Sequence, residues 1–222
     1  MKLLLEQGDV NPDTQDQLYR KSPLSWAART GHEGIVKLLL ERKDVNPNSS
    51  GSESDQTPLS WAAANGHEGI VKLLLERKDV NPNSTGSYFG RTPLFLAAEN
   101  GHERIVKLLL ERKEVNLNIP DTLYNQTPLT VAVGNGHQRI VKLLLGRTDV
   151  NPNYSTPSGE TPLSLAVGNG HEGIVKLLLE RKDINLSTGV SLGGSTPLLH
   201  AAEKGHDRIV ALLQARHSRP TQ

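Results

Sequence analysis

The sequence predicts an all-α-dominated solenoid of stacked helix–turn–helix units, and three observations predict it. A Ser/Thr-Pro-Leu phrase recurs every 34 or 35 residues, at Ser22-Pro23-Leu24, Thr57-Pro58-Leu59, Thr92-Pro93-Leu94, Thr127-Pro128-Leu129, Thr161-Pro162-Leu163 and Thr196-Pro197-Leu198. Each copy runs on to a Gly-His pair, the first at Gly31-His32 and the last at Gly205-His206. An apolar block then follows, such as Ile35-Val36-Lys37-Leu38-Leu39-Leu40. Self-similarity at this period means supersecondary units that bury their apolar faces against their neighbours, not one globular core.

Each element of the unit follows from local chemistry. Thr57 before Pro58 reads as a helix start, because the hydroxyl accepts from free N–H groups and proline at the first helical position forfeits no bond. A short helix then runs through Ala62-Ala63, whose small side chains let neighbouring units approach closely, and ends at Asn65-Gly66. His67 and Glu68 open a second helix with Ile70, Val71, Leu73, Leu74 and Leu75 on a broad apolar stripe. Asp79-Val80-Asn81-Pro82 breaks that helix, and a Gly/Ser/Asn-rich stretch leads to the next Thr-Pro.

These phrases, taken in order, resemble the ankyrin repeat, and the resemblance covers nearly the whole chain as one half unit plus six units. The Thr-Pro-Leu-Ser and Asp-Val-Asn-Pro-Asn wording is most similar to arrays from filamentous fungi, which often form the far end of large signalling or sensor proteins. The resemblance implies a solenoid with a projecting hairpin loop, or finger, on each repeat. It frames residues 1–222 as a single array: a half repeat with the first finger at 1–21, then repeats at 22–56, 57–91, 92–126, 127–160, 161–195 and a capping 196–222. Met1 to Pro12 aligns with Val36 to Pro47, so the chain is expected to open inside a unit. Three departures stand out. Arg42-Lys43 occupies the place of the family's Gly-Ala, the fingers are longer, and Ser25, Ser60, Phe95, Thr130, Ser164 and Leu199 replace the usual histidine.

Composition narrows the function classes. A net charge of +1 implies no broad attraction to nucleic acid or to an anionic membrane. There is no cysteine, so disulfides and thiolate metal sites are excluded and no oxidising compartment is needed. No apolar run approaches the roughly 20 residues that span a bilayer. An intracellular protein is expected, cytoplasmic by default with a nuclear location left open.

Recurrent histidines invite a metal reading. Stacked helices lie roughly 8–10 Å apart, so equivalent imidazoles on adjacent repeats do not share one ion near 2 Å. They are expected to tie turns to nearby backbone. No nucleophile–base set and no phosphate-cradling Gly-Lys-Ser/Thr motif occurs, so no catalysis, cofactor, metal or small-molecule substrate is expected. Glu33/Lys37, Glu68/Lys72, Glu103/Lys107 and Glu172/Lys176 stand four apart, and with the Arg-Lys pairs they read as a solvated face.

Five of the eight aromatics, Tyr19, Tyr88, Phe89, Tyr124 and Tyr154, fall in the fingers, where there is no core to bury them. Recognition surfaces are enriched in such side chains. Trp26 and Trp61 sit in first helices at a position expected to pack in the core. By resemblance, partner contacts concentrate on finger residues before Thr-Pro and on the two residues after Ala-Ala. That implies Tyr19, Lys21, Arg29, Gln56, Asn65, Tyr88, Phe89, Arg91, Phe95, Glu99, Tyr124, Gln126 and Glu160 as the binding set. The expected function is non-catalytic recognition of a partner protein along the concave face and fingers. A regulatory or sensor arm of a larger signalling protein, or an inert spacer, is the alternative. Gly134 and Gly168 within first helices, with Gly146 after a Leu triplet, predict that the fourth and fifth repeats are the softest.

Overall fold

A computed structural model describes residues 11–50, 56–86, 89–187 and 196–217. It divides into two compact units, residues 1–116 with 121–123, and residues 117–120 with 124–222. The first unit carries α1 (Pro23–Thr30), α2 (Glu33–Leu40), α3 (Pro58–Asn65), α4 (Glu68–Glu76), α5 (Pro93–Glu99) and α6 (Glu103–Leu110). The second carries α7 (Pro128–Gly134), α8 (Gln138–Leu145), α9 (Pro162–Gly168), α10 (Glu172–Glu180), α11 (Pro197–Glu203) and α12 (Asp207–His217). Within the first unit α1, α3 and α5 stack as one layer and α2, α4 and α6 as another. Within the second, α7, α9 and α11 form one layer and α8, α10 and α12 the other. No strand occurs among the described residues.

First helices begin as their sequence dictates. Thr57 is extended at φ −67° and its hydroxyl accepts from the Ser60 N–H, with Pro58 directly after it. The same cap recurs at Ser22, Thr92, Thr127, Thr161 and Thr196. Loss of such a cap costs about 1 kcal/mol. At the other end Gly66 stands at φ +79° and donates its N–H to Ala62, a left-handed stop that suits glycine. A Cβ there would meet the His102 ring at 2.8 Å.

The core is aliphatic, as the scarcity of aromatics requires. Leu59, Ala62, Ala63, Ile70, Val71 and Leu74 are fully buried, and their counterparts Leu94, Ala97, Ala98, Ile105, Val106 and Leu109 repeat the pattern. Where the family's histidine is missing, Ser25, Ser60, Thr130 and Ser164 are buried next to the capping hydroxyls. Phe95 fills the same place in its repeat and is 1% exposed. It is therefore a core residue, which corrects its assignment to the binding set.

The Arg-Lys pairs are not a simple solvated face. Lys43, Lys78, Lys113 and Lys182 are exposed, but the arginines beside them are half-buried. Arg77 grips Asp79 through two bonds of 2.9 and 2.6 Å while its Nη1 donates to the Arg42 carbonyl at 3.2 Å. Arg181 does the same with Asp183 and with the Leu145 and Arg147 carbonyls, each at 3.0 Å. The guanidinium thus satisfies the end carbonyls of the preceding second helix, where the missing glycine would have turned the chain. It holds the paired carboxylates below the usual range at Asp44, Asp79, Glu114, Asp149 and Asp183. Of the four Glu/Lys pairs read from spacing, Glu172 and Lys176 meet at 2.6 Å, whereas Glu68 lies 3.5 Å from Arg104 on the next repeat.

Candidate functional site

The bases of the fingers are joined by an asparagine ladder. Asn48 donates its amide to the Asp79 carbonyl at 2.6 Å and accepts from the Asn81 N–H at 2.7 Å. Asn83 spans to Glu114 and Asn116 in the same way, Asn118 to Asp149 and Asn151, and Asn153 to Asp183 and Asn185. One side chain therefore satisfies a donor and an acceptor on the following finger. The first rung is Asp13, which accepts from the Asn46 N–H at 2.9 Å. Its other oxygen is buried with no hydrogen-bond partner, since a carboxylate brings no proton for the carbonyl an asparagine would engage.

Above this base the first finger is tied by Asp16. Its Oδ1 accepts from the Leu18 and Tyr19 N–H groups at 3.0 and 2.6 Å, and its Oδ2 from the Lys21 N–H and the Trp26 indole at 2.9 Å each. The Tyr19 bond, reinforced by Trp26 and the other two amides, holds the carboxyl down at about 2. The turn places Arg20 at φ +55°, a region non-glycine residues seldom enter. It leaves Leu18 exposed and Tyr19 53% exposed.

A second finger repeats the phrase. Asp121-Thr122-Leu123-Tyr124-Asn125-Gln126-Thr127 parallels Asp16-Gln17-Leu18-Tyr19-Arg20-Lys21-Ser22. Asn125 stands at φ +54°, Leu123 is exposed and Tyr124 is 61% exposed. The two leucines were missed by reasoning on aromatics alone, although the shared Asp-x-Leu-Tyr spacing was visible in the sequence.

Beside the first finger lies a stack of cations and rings. Tyr19 meets Trp26 edge-on at 5.7 Å. The Lys21 ammonium sits 5.7, 5.9 and 5.1 Å from the Tyr19, Trp26 and Trp61 rings, in a residue only 8% exposed. The Arg29 guanidinium lies 5.5 Å from Trp26 and 4.6 Å from Trp61. Such contacts contribute about 0.5–1 kcal/mol each at exposed sites. Both indoles are half-buried, so the expectation of core tryptophans is corrected: they lie on the finger side of the first helices.

At the end of the second full repeat the Arg91 guanidinium lies 5.2 Å from Phe89 and, across the boundary, 5.1 Å from Phe95 of the third. It bonds Glu99 at 3.0 Å and approaches buried Asp121 at 3.8 Å. Burial pushes the Glu99 carboxyl up, and Arg91 opposes that shift. The Thr122 N–H donates to the Phe89 carbonyl at 2.8 Å, which pins this finger to the next.

Of the remaining predicted residues, Gln56 is half-buried and Asn65 is exposed with its amide donating to the Trp61 carbonyl. Glu160 is half-buried, closes its finger through Thr156, and accepts from the Ser158 hydroxyl at 3.2 Å. Gln126 is half-buried in the second unit. Tyr88 lies outside the described residues. His67 and His102 do serve the backbone, but across repeats. His67 Nε2 lies 3.0 Å from the Arg29 carbonyl and His102 Nε2 lies 3.1 Å from that of Ala64. In the second unit Asn169 donates to the Gly134 carbonyl at 3.2 Å, the acceptor that the pattern reserves for His171. The Nε2 atoms of His171 and His206 are buried there without a hydrogen-bond partner.

No helix among the described residues is long and apolar enough to cross a membrane. Solved structures share the fold closely. An ankyrin repeat domain from Acinetobacter baumannii AYE is 27% identical with a TM-score of 0.79, matching 89% of this chain and 98% of that one. The ankyrin repeat domain of Bcl-3, a member of the IkappaB protein family, is 26% identical with a TM-score of 0.78 over 90% of this chain and 87% of that one. EF0377, an ankyrin repeat protein, is 28% identical with a TM-score of 0.78 over 86% and 96%. No curated protein matched the chain in sequence. The family model for ankyrin repeats matches three times, at residues 1–86, 77–154 and 147–222. Ankyrin repeats are in general protein–protein interaction modules, and this chain, matched from end to end, belongs to the ankyrin repeat family.

Proposed function

We propose that this chain is a non-catalytic recognition module that binds a partner protein on its fingers and the adjoining ends of its first helices. In the first unit the strip comprises Tyr19, Lys21, Arg29, Gln56, Asn65, Phe89, Arg91 and Glu99. In the second it comprises Tyr124, Gln126 and Glu160. The observation that carries this reading is the repeated Leu-Tyr finger tip. Leu18, Tyr19, Leu123 and Tyr124 are all large and exposed, on turns that hold Arg20 and Asn125 at positive φ. A fold does not strain a turn to leave apolar groups in water without some other return. The second-helix side is occupied with its own staples: the arginine pairs, the Glu172–Lys176 bridge and the Leu-rich stripe.

Affinity capture from source-cell lysate tests this directly. The wild-type array is compared with a Tyr19→Ser, Phe89→Ser, Tyr124→Ser variant whose helical signal and Tm match it. A partner retained by the first and lost by the second supports the strip. Equal capture by both moves recognition off the fingers, and no capture by either leaves the array a spacer or a regulatory arm.

A further inference from the structure

The two cation–aromatic clusters of the first unit differ in one respect. Arg91 is neutralised within the chain, by Glu99 at 3.0 Å and by buried Asp121 at 3.8 Å. Arg29 is exposed and has no ion pair among the described residues. The nearby Asp16 does not serve it, because both carboxylate oxygens already accept two bonds each, from three backbone N–H groups and the Trp26 indole. Arg29 nevertheless lies over both indoles, 4.6 Å from Trp61 and 5.5 Å from Trp26. A guanidinium held over rings has lost rotamer freedom before any ligand arrives, so less remains to be lost on binding. Arg20 adds positive charge on the adjacent finger, beside the exposed Leu18 and Tyr19.

We propose that the Trp26–Arg29–Trp61 platform is the docking point for an acidic segment of a partner protein. Its carboxylate lies against the Arg29 guanidinium, and a neighbouring apolar side chain packs on Leu18 and Tyr19. This deepens the reading above and rests on it. Nucleic acid is the less suitable occupant. The rings that would stack bases are already engaged by Lys21 and Arg29, and the chain carries a net charge of only +1. A carboxylate paired with arginine gains charge-assisted hydrogen bonds that a neutral amide does not supply.

The chain supplies its own probe, since Trp26 and Trp61 are its two tryptophans. Indole emission is titrated with a synthetic peptide on the order of a dozen residues alternating glutamate with leucine. Its glutamine counterpart and an oligothymidylate serve as comparison ligands. The expected result is a saturable change with the glutamate peptide that weakens steeply as salt rises from about 0.05 to about 0.5 M. Arg29→Glu should weaken binding by at least about tenfold, and Arg29→Lys by less. Far-ultraviolet circular dichroism and Tm confirm that each variant is folded, and Arg29→Gln replaces Arg29→Glu if the latter unfolds. Equal binding of the glutamine peptide, binding of the oligothymidylate alone, no binding, or indifference to the folded Arg29 variants would each overturn the proposal. If lysate capture still depends on the finger aromatics, the recognition module stands and the acidic partner alone falls.

Discussion

Asparagine at the finger base is the residue on which repeat-to-repeat register depends most visibly. Replacing Asn83 with alanine removes one donor and one acceptor from the next finger and should cost about 1–3 kcal/mol, read as a lower urea midpoint at unchanged slope. The converse change is Asp13→Asn. Every later rung donates to a carbonyl that Asp13 leaves unserved, so the substitution should stabilise the chain by about 1 kcal/mol and raise Tm. Asp16 supplies a pH dependence whose sign is fixed by its depressed value. Its stabilisation is complete above the unfolded carboxylate range near pH 4 and is lost as pH falls through about 2. Trp26 emission should therefore change across that acid window in the wild type and be altered already at neutral pH in Asp16→Asn. The Thr-Pro caps were legible in the sequence because they act within four residues. The ladder was not, because Asn-Pro-Asn reads locally as a turn and its partners lie 30 to 33 residues on.

Among the elements, the glycine-bearing first helices α7 and α9 mark the weak stretch. A Cβ at Gly134 meets nothing within 4 Å, so Gly134→Ala should stabilise by about 0.5–1 kcal/mol in denaturant titration. Gly66→Ala should act in the opposite sense, because its φ of +79° and the His102 ring at 2.8 Å both oppose a side chain. The histidine bonds of the first unit, absent at His171 and His206, point the same way. Amides of 127–180 should exchange faster than those of 57–110, and equal protection would contradict this. Helix positions and ends were readable from Thr-Pro and Gly-His. The half-buried state of Trp26 and Trp61 was not, because a stripe of apolar spacing does not reveal that Lys21 and Arg29 lie over the rings. Phe95 misled for the opposite reason: it follows a finger in sequence but points into the core that a family histidine would occupy.

For the molecule as a whole, the fold was legible because six copies of one phrase repeat the same local instructions. The candidate surface was legible only in part. The scarcity of aromatics drew attention to the fingers, whereas the Leu18 and Leu123 partners, and an Arg29 with no ion pair among the described residues, needed three-dimensional neighbours to be seen. The proposed division of labour between the two sides of each repeat has second helices and their arginines holding the stack, and fingers with first-helix ends making the contact with a partner. Hydroxyl-radical footprinting of the array, alone and with its captured partner, separates the two sides. Protection is expected within 16–30, 56–65 and 89–99 of the first unit, with the faces at 68–78 and 103–113 unchanged. Protection confined to those second-helix faces would contradict it.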